Sequence, residues 1–274
     1  MNTSLNSSVS QTMTAQGNLP NRWCRVYRPQ PLATHRIILL PHASGSASFF
    51  RQWTSLFPSN IEVISVQYPG REDRLADPLI SDMELLVQGI CSGLTRYLDK
   101  PYILFGHSMG GGIAYELYQM LQRQKLPQPK HLIISAFEAP SRKHRGELHK
   151  QQDYLLLDEL TRLNGTGVNL NSYPELADMV LPLMRNDYTL IETYQPNTKR
   201  TPLNIPITLM VGDKDEELQS GDAEAWQQET TKEFQLLTFK GDHFYLTPEK
   251  VAVSQALIKL CQPVTPKVAW PVTP

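Results

Sequence analysis

"YILFGHSMGGGIAYELY", Tyr102 to Tyr118, decides the fold. An apolar run ends at Gly106, a histidine and a serine follow, and three glycines lead into a helical pattern. Gly106-His107-Ser108-Met109-Gly110 fits G-x-S-x-G, placed after a strand and at the opening of a helix. A strand that turns straight into a helix strains the backbone of the corner residue and lifts its side chain above the sheet. Side chains two places before and two places after the corner would collide, so Gly106 and Gly110 are sterically required. A tight glycine turn whose serine merely caps the helix is the alternative, and the order strand, elbow, helix speaks against it.

Outward from the elbow the chain alternates. Arg36–Leu40 (RIILL), Ile61–Val66 (IEVISV), His131–Ser135 (HLIIS), Ile205–Val211 (IPITLMV) and Phe234–Phe239 (FQLLTF) are short apolar runs. Such runs are expected of strands buried on both faces. Between them lie helical patterns. Ser81-Asp82-Met83-Glu84 matches a capping box, and behind it Met83, Leu86, Ile90, Leu94 and Tyr97 form one apolar face. Strand and helix in alternation predict a mostly parallel sheet with helices on both sides. From Pro140 to Lys199 no strand is evident, whereas Tyr154–Leu163 and Glu175–Tyr194 read as helices. An insertion of that size after a strand is where such a sheet carries a cap over its ligand edge.

The bulk properties narrow the field of partners. The chain has 274 residues, 41% of them hydrophobic, and a net charge of −1. That balance gives no electrostatic reason to expect nucleic acid or a membrane surface. No apolar run reaches bilayer-spanning length. Residues 1–21 lack the basic start and apolar block of a signal peptide and are too polar to order themselves. The proline-punctuated tail, 263–274, is expected to be equally unfolded, leaving one domain over 22–262 with its cap at about 140–200. Cys24, Cys91 and Cys261 are far apart in no ligand-spaced cluster, which fits free thiols in a reducing cytoplasm. A monomer is expected.

A serine hydroxyl is a poor nucleophile until a base takes its proton. In a sheet of this kind the order along the chain is nucleophile, acid, histidine, each at the carboxyl end of a strand. His243, in Lys240-Gly241-Asp242-His243-Phe244, follows the last strand and takes the base role. His42 lies close to the site but on the wrong side of that order. The acid should follow the penultimate strand, where Asp213, Asp215, Glu216 and Glu217 crowd one loop. Spacing does not choose among them; Asp213 is placed to bond backbone N–H groups, and Asp215 to point back toward His243. An oxyanion hole needs two N–H donors. Met109, the residue after the nucleophile, supplies one. The loop Leu40-Pro41-His42-Ala43-Ser44-Gly45 supplies the other, with Ala43 as its donor.

These motifs, "LLPHASGSASFFRQW" (39–53), "VQYPGREDR" (66–74), "FGHSMGGGIAYEL" (105–117), "LPLMRNDYTLIETY" (181–194), "VGDKDEEL" (211–218) and "KGDHFYL" (240–246), carry a family resemblance. From about residue 35 to about 260 the chain resembles the type II thioesterases. Those are stand-alone α/β-hydrolases associated with nonribosomal peptide and polyketide synthases. The most specific signals are the P-G-R after the second strand and the R-x-D block in the insertion, which generic esterases lack. The resemblance implies an α/β-hydrolase fold with a helical cap, a triad on Ser108, Asp215 and His243, and oxyanion donors on Met109 and Ala43. It departs mildly from the family pattern at Ser44, Asn186, Gly167 and Asp242. Ser44 stands where glycine is usual, and a Cβ there narrows the approach to Ala43.

The implied activity is removal of acyl or aminoacyl groups from the phosphopantetheine arm of acyl or peptidyl carrier-protein domains, clearing misloaded or stalled ones. No metal and no cofactor of the enzyme's own is called for, because the substrate carries the phosphopantetheine. Two other readings remain: a medium-chain acyl-carrier or acyl-CoA thioesterase of fatty-acid metabolism, and a docking module without turnover. Intact Ser, Asp and His argue against the last. Carrier domains are commonly acidic, so a basic docking surface is expected in Ser141-Arg142-Lys143-His144-Arg145, on Arg142, Lys143 and Arg145. A solvated linker is the plainer reading of that run.

Overall fold

Each apolar run of the sequence forms a strand in the computed structural model, which describes residues 21–164, 172–218 and 221–262. The expected leader up to residue 20, the tail from 263 and Gly167 lie outside those residues. The strands are β1 (Cys24–Arg25), β2 (His35–Leu40), β3 (Ile61–Val66), β4 (Tyr102–His107), β5 (His131–Ser135), β6 (Ile207–Gly212) and β7 (Phe234–Phe239). They make one sheet in the order β1-β3-β2-β4-β5-β6-β7. Only β1 runs antiparallel to its neighbour. The helices are α1 (Met83–Leu94), α2 (Met109–Arg123), α3 (Asp153–Asn164), α4 (Pro174–Thr193) and α5 (Lys250–Cys261).

Period-two side-chain alternation divides the core between the two faces of the sheet. Ile38 and Leu40 of β2 pack with Leu86, Ile90, Ile113 and Leu117 of α1 and α2. Ile37 and Leu39 face the other way, toward Trp53 and the α5 residues Val253 and Leu257. Each such large side chain contributes roughly 1.5–3 kcal/mol by leaving water. β2 and β4 are neighbours, with Leu40 opposite Gly106. The chain leaves β2 toward β3 on one side and leaves β4 toward β5 on the other. At such a reversal the connecting loops part and open a crevice. The elbow and the 41–47 loop therefore begin side by side at the rim of that crevice.

Three local expectations need correction. The α1 cap is Asp82, whose carboxylate accepts the Leu85 N–H at 2.8 Å, so the helix starts one residue later than a cap on Ser81 requires. β6 starts at Ile207 because Pro206 has no N–H for the ladder, though its carbonyl accepts from Leu132. β7 is an edge strand with no fully buried residue, not one buried on both faces. Its Leu236 is 40% exposed. The two-residue β1 carries too little pattern to be seen in the sequence. Between β5 and β6 the described residues form α3, α4 and short 3-10 turns, the expected helical cap.

Candidate active site

The elbow has the strain its sequence implies. Ser108 adopts φ 52°, ψ −122° at the N-terminus of α2, a region unfavourable to any side-chain-bearing residue. Two hydrogen bonds hold it there: Ser108 N–H to the Ser135 carbonyl and Gly111 N–H to the Ser108 carbonyl, each 2.7 Å. A Cβ on Gly106 would stand 1.9 Å from the Gly110 carbonyl oxygen, and one on Gly110 2.2 Å from that of Leu40. Both glycines are there because the helix, the elbow and β2 press backbone on backbone.

His243 and the acid loop meet at the carboxyl ends of β6 and β7. The Nδ1 of His243 lies 3.1 Å from both carboxylate oxygens of Asp215, whose side chain is 1% exposed. Asp213 does something else. It is exposed, and its Oδ1 accepts the Gly241 N–H at 2.8 Å, tying the two loops together. Gly212 allows this closeness, since a Cβ there would meet the Asp242 and Gly241 carbonyl oxygens at 2.3 and 2.4 Å. The Asp242 carboxylate, where the family pattern has glycine, closes a turn by accepting the Phe244 N–H at 2.9 Å.

Two further histidines lie by His243: His42 lines the cavity, and the buried His107 packs 5.3 Å from the His243 ring and 5.9 Å from that of His42. His107 Nδ1 shares a 2.8 Å hydrogen bond with the Ser135 hydroxyl, which in turn bonds Tyr245. His42 packs edge-on against Phe49 and Phe244, both at 4.8 Å between ring centres. Burial pushes the His42 pKa down to about 3, with help from the charges of His243 and Arg71. Burial likewise holds His107 well below the ordinary histidine value. Both rings are therefore neutral at pH 7, and neither adds a fixed charge beside His243.

Ser108, Met109, Ala43, His42 and His243 line one side of a cavity of about 230 Å³. Leu160 of α3 and Met184, Tyr188 and Ile191 of α4 line the cap side, so an apolar group above Ser108 would be enclosed by the insertion. The basic run divides. Lys143 forms an ion pair with Glu138 at 3.0 Å, is 11% exposed and lies near the Phe137 ring. Arg142 and Arg145 are exposed, and Arg145 reaches the cavity wall.

The sequence marked P-G-R and R-x-D as distinctive without giving them a role. In the fold they meet. Arg71 donates from both terminal nitrogens to the two oxygens of Asp187, at 2.9 and 3.0 Å, with both side chains buried. The same carboxylate accepts the N–H of Ser44 at 2.8 Å. Ser44 has φ 61°, which is why glycine suits this position, and its buried Oγ has no hydrogen-bond partner among the described residues. The pair joins residues 116 apart in the chain, a separation no local pattern encodes.

The sequence model of the thioesterase domain matches residues 35–262, the whole sheet from β2 onward with its cap. The chain belongs to the thioesterase family. As a thioesterase it is a hydrolase of thioester bonds. It is 36% identical over 243 residues to a probable cadicidin biosynthesis thioesterase of Streptomyces griseus, covering 88% of this chain and 66% of that one. It is 34% identical over 230 residues to thioesterase PikA5 of Streptomyces venezuelae, covering 83% and 81%. Among solved structures, the type II thioesterase BorB from the borrelidin biosynthetic cluster superposes with a TM-score of 0.80. That match is at 36% identity and covers 88% of this thioesterase and 98% of BorB. No helix among the described residues is long and apolar enough to cross a membrane.

Proposed function

We propose that this thioesterase hydrolyses acyl or aminoacyl thioesters held on the phosphopantetheine arm of carrier-protein domains. In this reading it acts in the cytoplasm and clears misloaded or stalled units for a nonribosomal peptide or polyketide synthase. The observation that carries the reading is the buried Asp215 carboxylate on His243 Nδ1, at the wall of the cavity that Ser108 also lines. With Nδ1 so engaged, Nε2 is the atom left to serve Ser108.

The chemistry then follows in two halves. Ser108 Oγ attacks the thioester carbonyl as His243 Nε2 takes its proton. The carbonyl oxygen becomes an oxyanion and accepts from the N–H groups of Met109 and Ala43, where aligned donors are worth several kcal/mol. Collapse breaks the carbon–sulfur bond. A thiol with a pKa near 8.5 leaves far more readily than an alkoxide, and His243 returns the proton to it. Water repeats the sequence on the acyl-serine ester, releasing the acid and regenerating Ser108. The enzyme needs no cofactor of its own for these steps.

Arg145, at the cavity wall and exposed, is the member of the basic run best placed to meet an acidic carrier or its phosphate, and Arg142 is exposed but does not line the cavity. Lys143 is already engaged by Glu138 and contributes less. The deciding experiment is steady-state hydrolysis of one acyl group presented on a carrier protein and on coenzyme A. Higher kcat/KM on the carrier, with a preference that shrinks as salt rises, is expected. Equal or better use of the coenzyme A thioester would instead favour the fatty-acid reading.

A further inference from the structure

The loop that carries Ala43 is held from both ends and from above. From the segment after β3, the Tyr68 hydroxyl donates to the Pro41 carbonyl at 3.1 Å, and Gln67 Oε1 accepts the Ala47 N–H at 2.7 Å. Arg71 donates to the Gly45 carbonyl at 2.8 Å, and Glu72 accepts from the Ser46 hydroxyl at 2.6 Å. Residue 44 is held differently. Its N–H is taken by Asp187, which belongs to cap helix α4 and is itself locked by Arg71. The 43–44 peptide precedes a left-handed residue, a conformation that costs roughly 1–3 kcal/mol and persists only where surroundings impose it.

We propose that Arg71 and Asp187 are positioning residues: the cap helix completes the oxyanion hole by fixing Ser44 and Gly45, and thereby the direction of the Ala43 N–H. The inference rests on Ala43 as oxyanion donor. On this view α4 is more than a cover over the acyl group. When α4 is seated, Asp187 holds the loop in the strained form that points the donor at the developing charge. Without the Asp187 carboxylate Ser44 has no acceptor for its N–H, and the loop relaxes.

The test uses the full chain and two variants. Arg71→Lys keeps a charge beside Asp187 but replaces a planar fork by a point charge that cannot serve both Asp187 oxygens and the Gly45 carbonyl. Arg71→Met with Asp187→Leu removes both charges together, which is often tolerated where removing one is not. Thermal melting reports whether each is folded. Kinetics on an acyl-pantetheine thioester are compared with binding of two inhibitors: a thioether analogue that stays in the ground state and a trifluoromethyl ketone analogue that adds to serine. In each folded variant kcat should fall about tenfold to a hundredfold, below the roughly 10²–10³ expected for losing one donor outright. KM and thioether affinity should hold within about threefold, and affinity for the ketone should fall with kcat. Unchanged kcat in a folded Arg71→Lys protein overturns the proposal. So does a parallel loss of thioether affinity, which would mean the pair shapes the pocket.

A third protein separates this inference from the reading beneath it. An ester in place of the 42–43 amide removes the Ala43 N–H, and a second ester at 44–45, which removes the Gly45 N–H that the His42 carbonyl accepts, controls for the weakened carbonyl. If the first ester costs activity and the clamp variants do not, only the positioning role fails. If the first ester costs nothing, the donor assignment fails and the inference with it.

Discussion

The two cap helices are fastened to the sheet in opposite ways. α4 is tied by Asp187 to Arg71 and Ser44, with the paired side chains only 4% and 5% exposed. α3 is tied by Arg162 to Glu217 of the acid loop, with side chains 48% and 36% exposed, and by Glu159 within its own turn. The first is a fork-to-fork pair in low dielectric, where removing one partner strands a charge. The second is solvated and screened by salt. One cap helix is thus part of the framework around the 41–47 loop, and the ion pair that ties the other to the loop after β6 is one that water can replace.

The largest effect that bears on this contrast lies in the acid loop. Asp215→Asn should lower turnover by roughly ten-thousand-fold, as loss of the correct imidazole tautomer does in triads. Asp213→Asn should cost less than about tenfold, because that side chain only holds the Gly241 N–H. The reverse ranking in steady-state assays would exchange their roles. On the α4 side, Asp187→Leu alone should destabilise the fold by roughly 3–5 kcal/mol through the buried charge left on Arg71. Denaturant unfolding measures this, and a loss under 1 kcal/mol would mean the pair is not a fastening.

Acid should destabilise the fold next. His42, in the loop that Asp187 holds, has its pKa lowered from the usual 6.5 to about 3. Between those values the unfolded chain binds a proton that the folded one refuses, so stability present above pH 6.5 is lost as pH falls toward 3. One such histidine contributes a slope of about 1.4 kcal/mol per pH unit. His42→Leu should flatten the stability profile between pH 6 and 4 by about that much, and an unaltered slope would place the acid sensitivity elsewhere. Smallest of all, Arg162→Gln should change stability by less than about 1 kcal/mol, a difference that vanishes in high salt. A loss as large as that of Asp187→Leu would erase the distinction between the two helices.

The sequence was legible where chemistry sits on a local pattern. The place of Ser108 at an elbow could be read because strand, elbow and helix are contiguous, and that of His243 because it follows the last strand. The strands were legible as apolar runs, although Phe234–Phe239 also reads as buried; what makes it an edge is that no strand among the described residues pairs beyond it. Asp213 and Asp215 could not be separated by spacing, since their difference is one of direction and burial. The family resemblance favoured Asp215, and the geometry puts that carboxylate on the imidazole. Arg71 and Asp187 stood out as motifs without a meaning, because an ion pair across the sheet and cap exists only after folding. The capping box failed by one residue, Ser81 and Asp82 being adjacent and equally able to cap.

The proposed triad centred on Ser108 is tested most directly by catching the acyl group on the enzyme. The wild-type protein, mixed with an acyl-pantetheine thioester and quenched in acid within the first turnover, should gain the mass of one acyl group. Peptide mapping should place that group on Ser108. Ser108→Ala should show no adduct, an unchanged melting temperature, and turnover lowered on the order of a million-fold. An adduct on any other residue, or Ser108→Ala activity within tenfold of wild type, would contradict it.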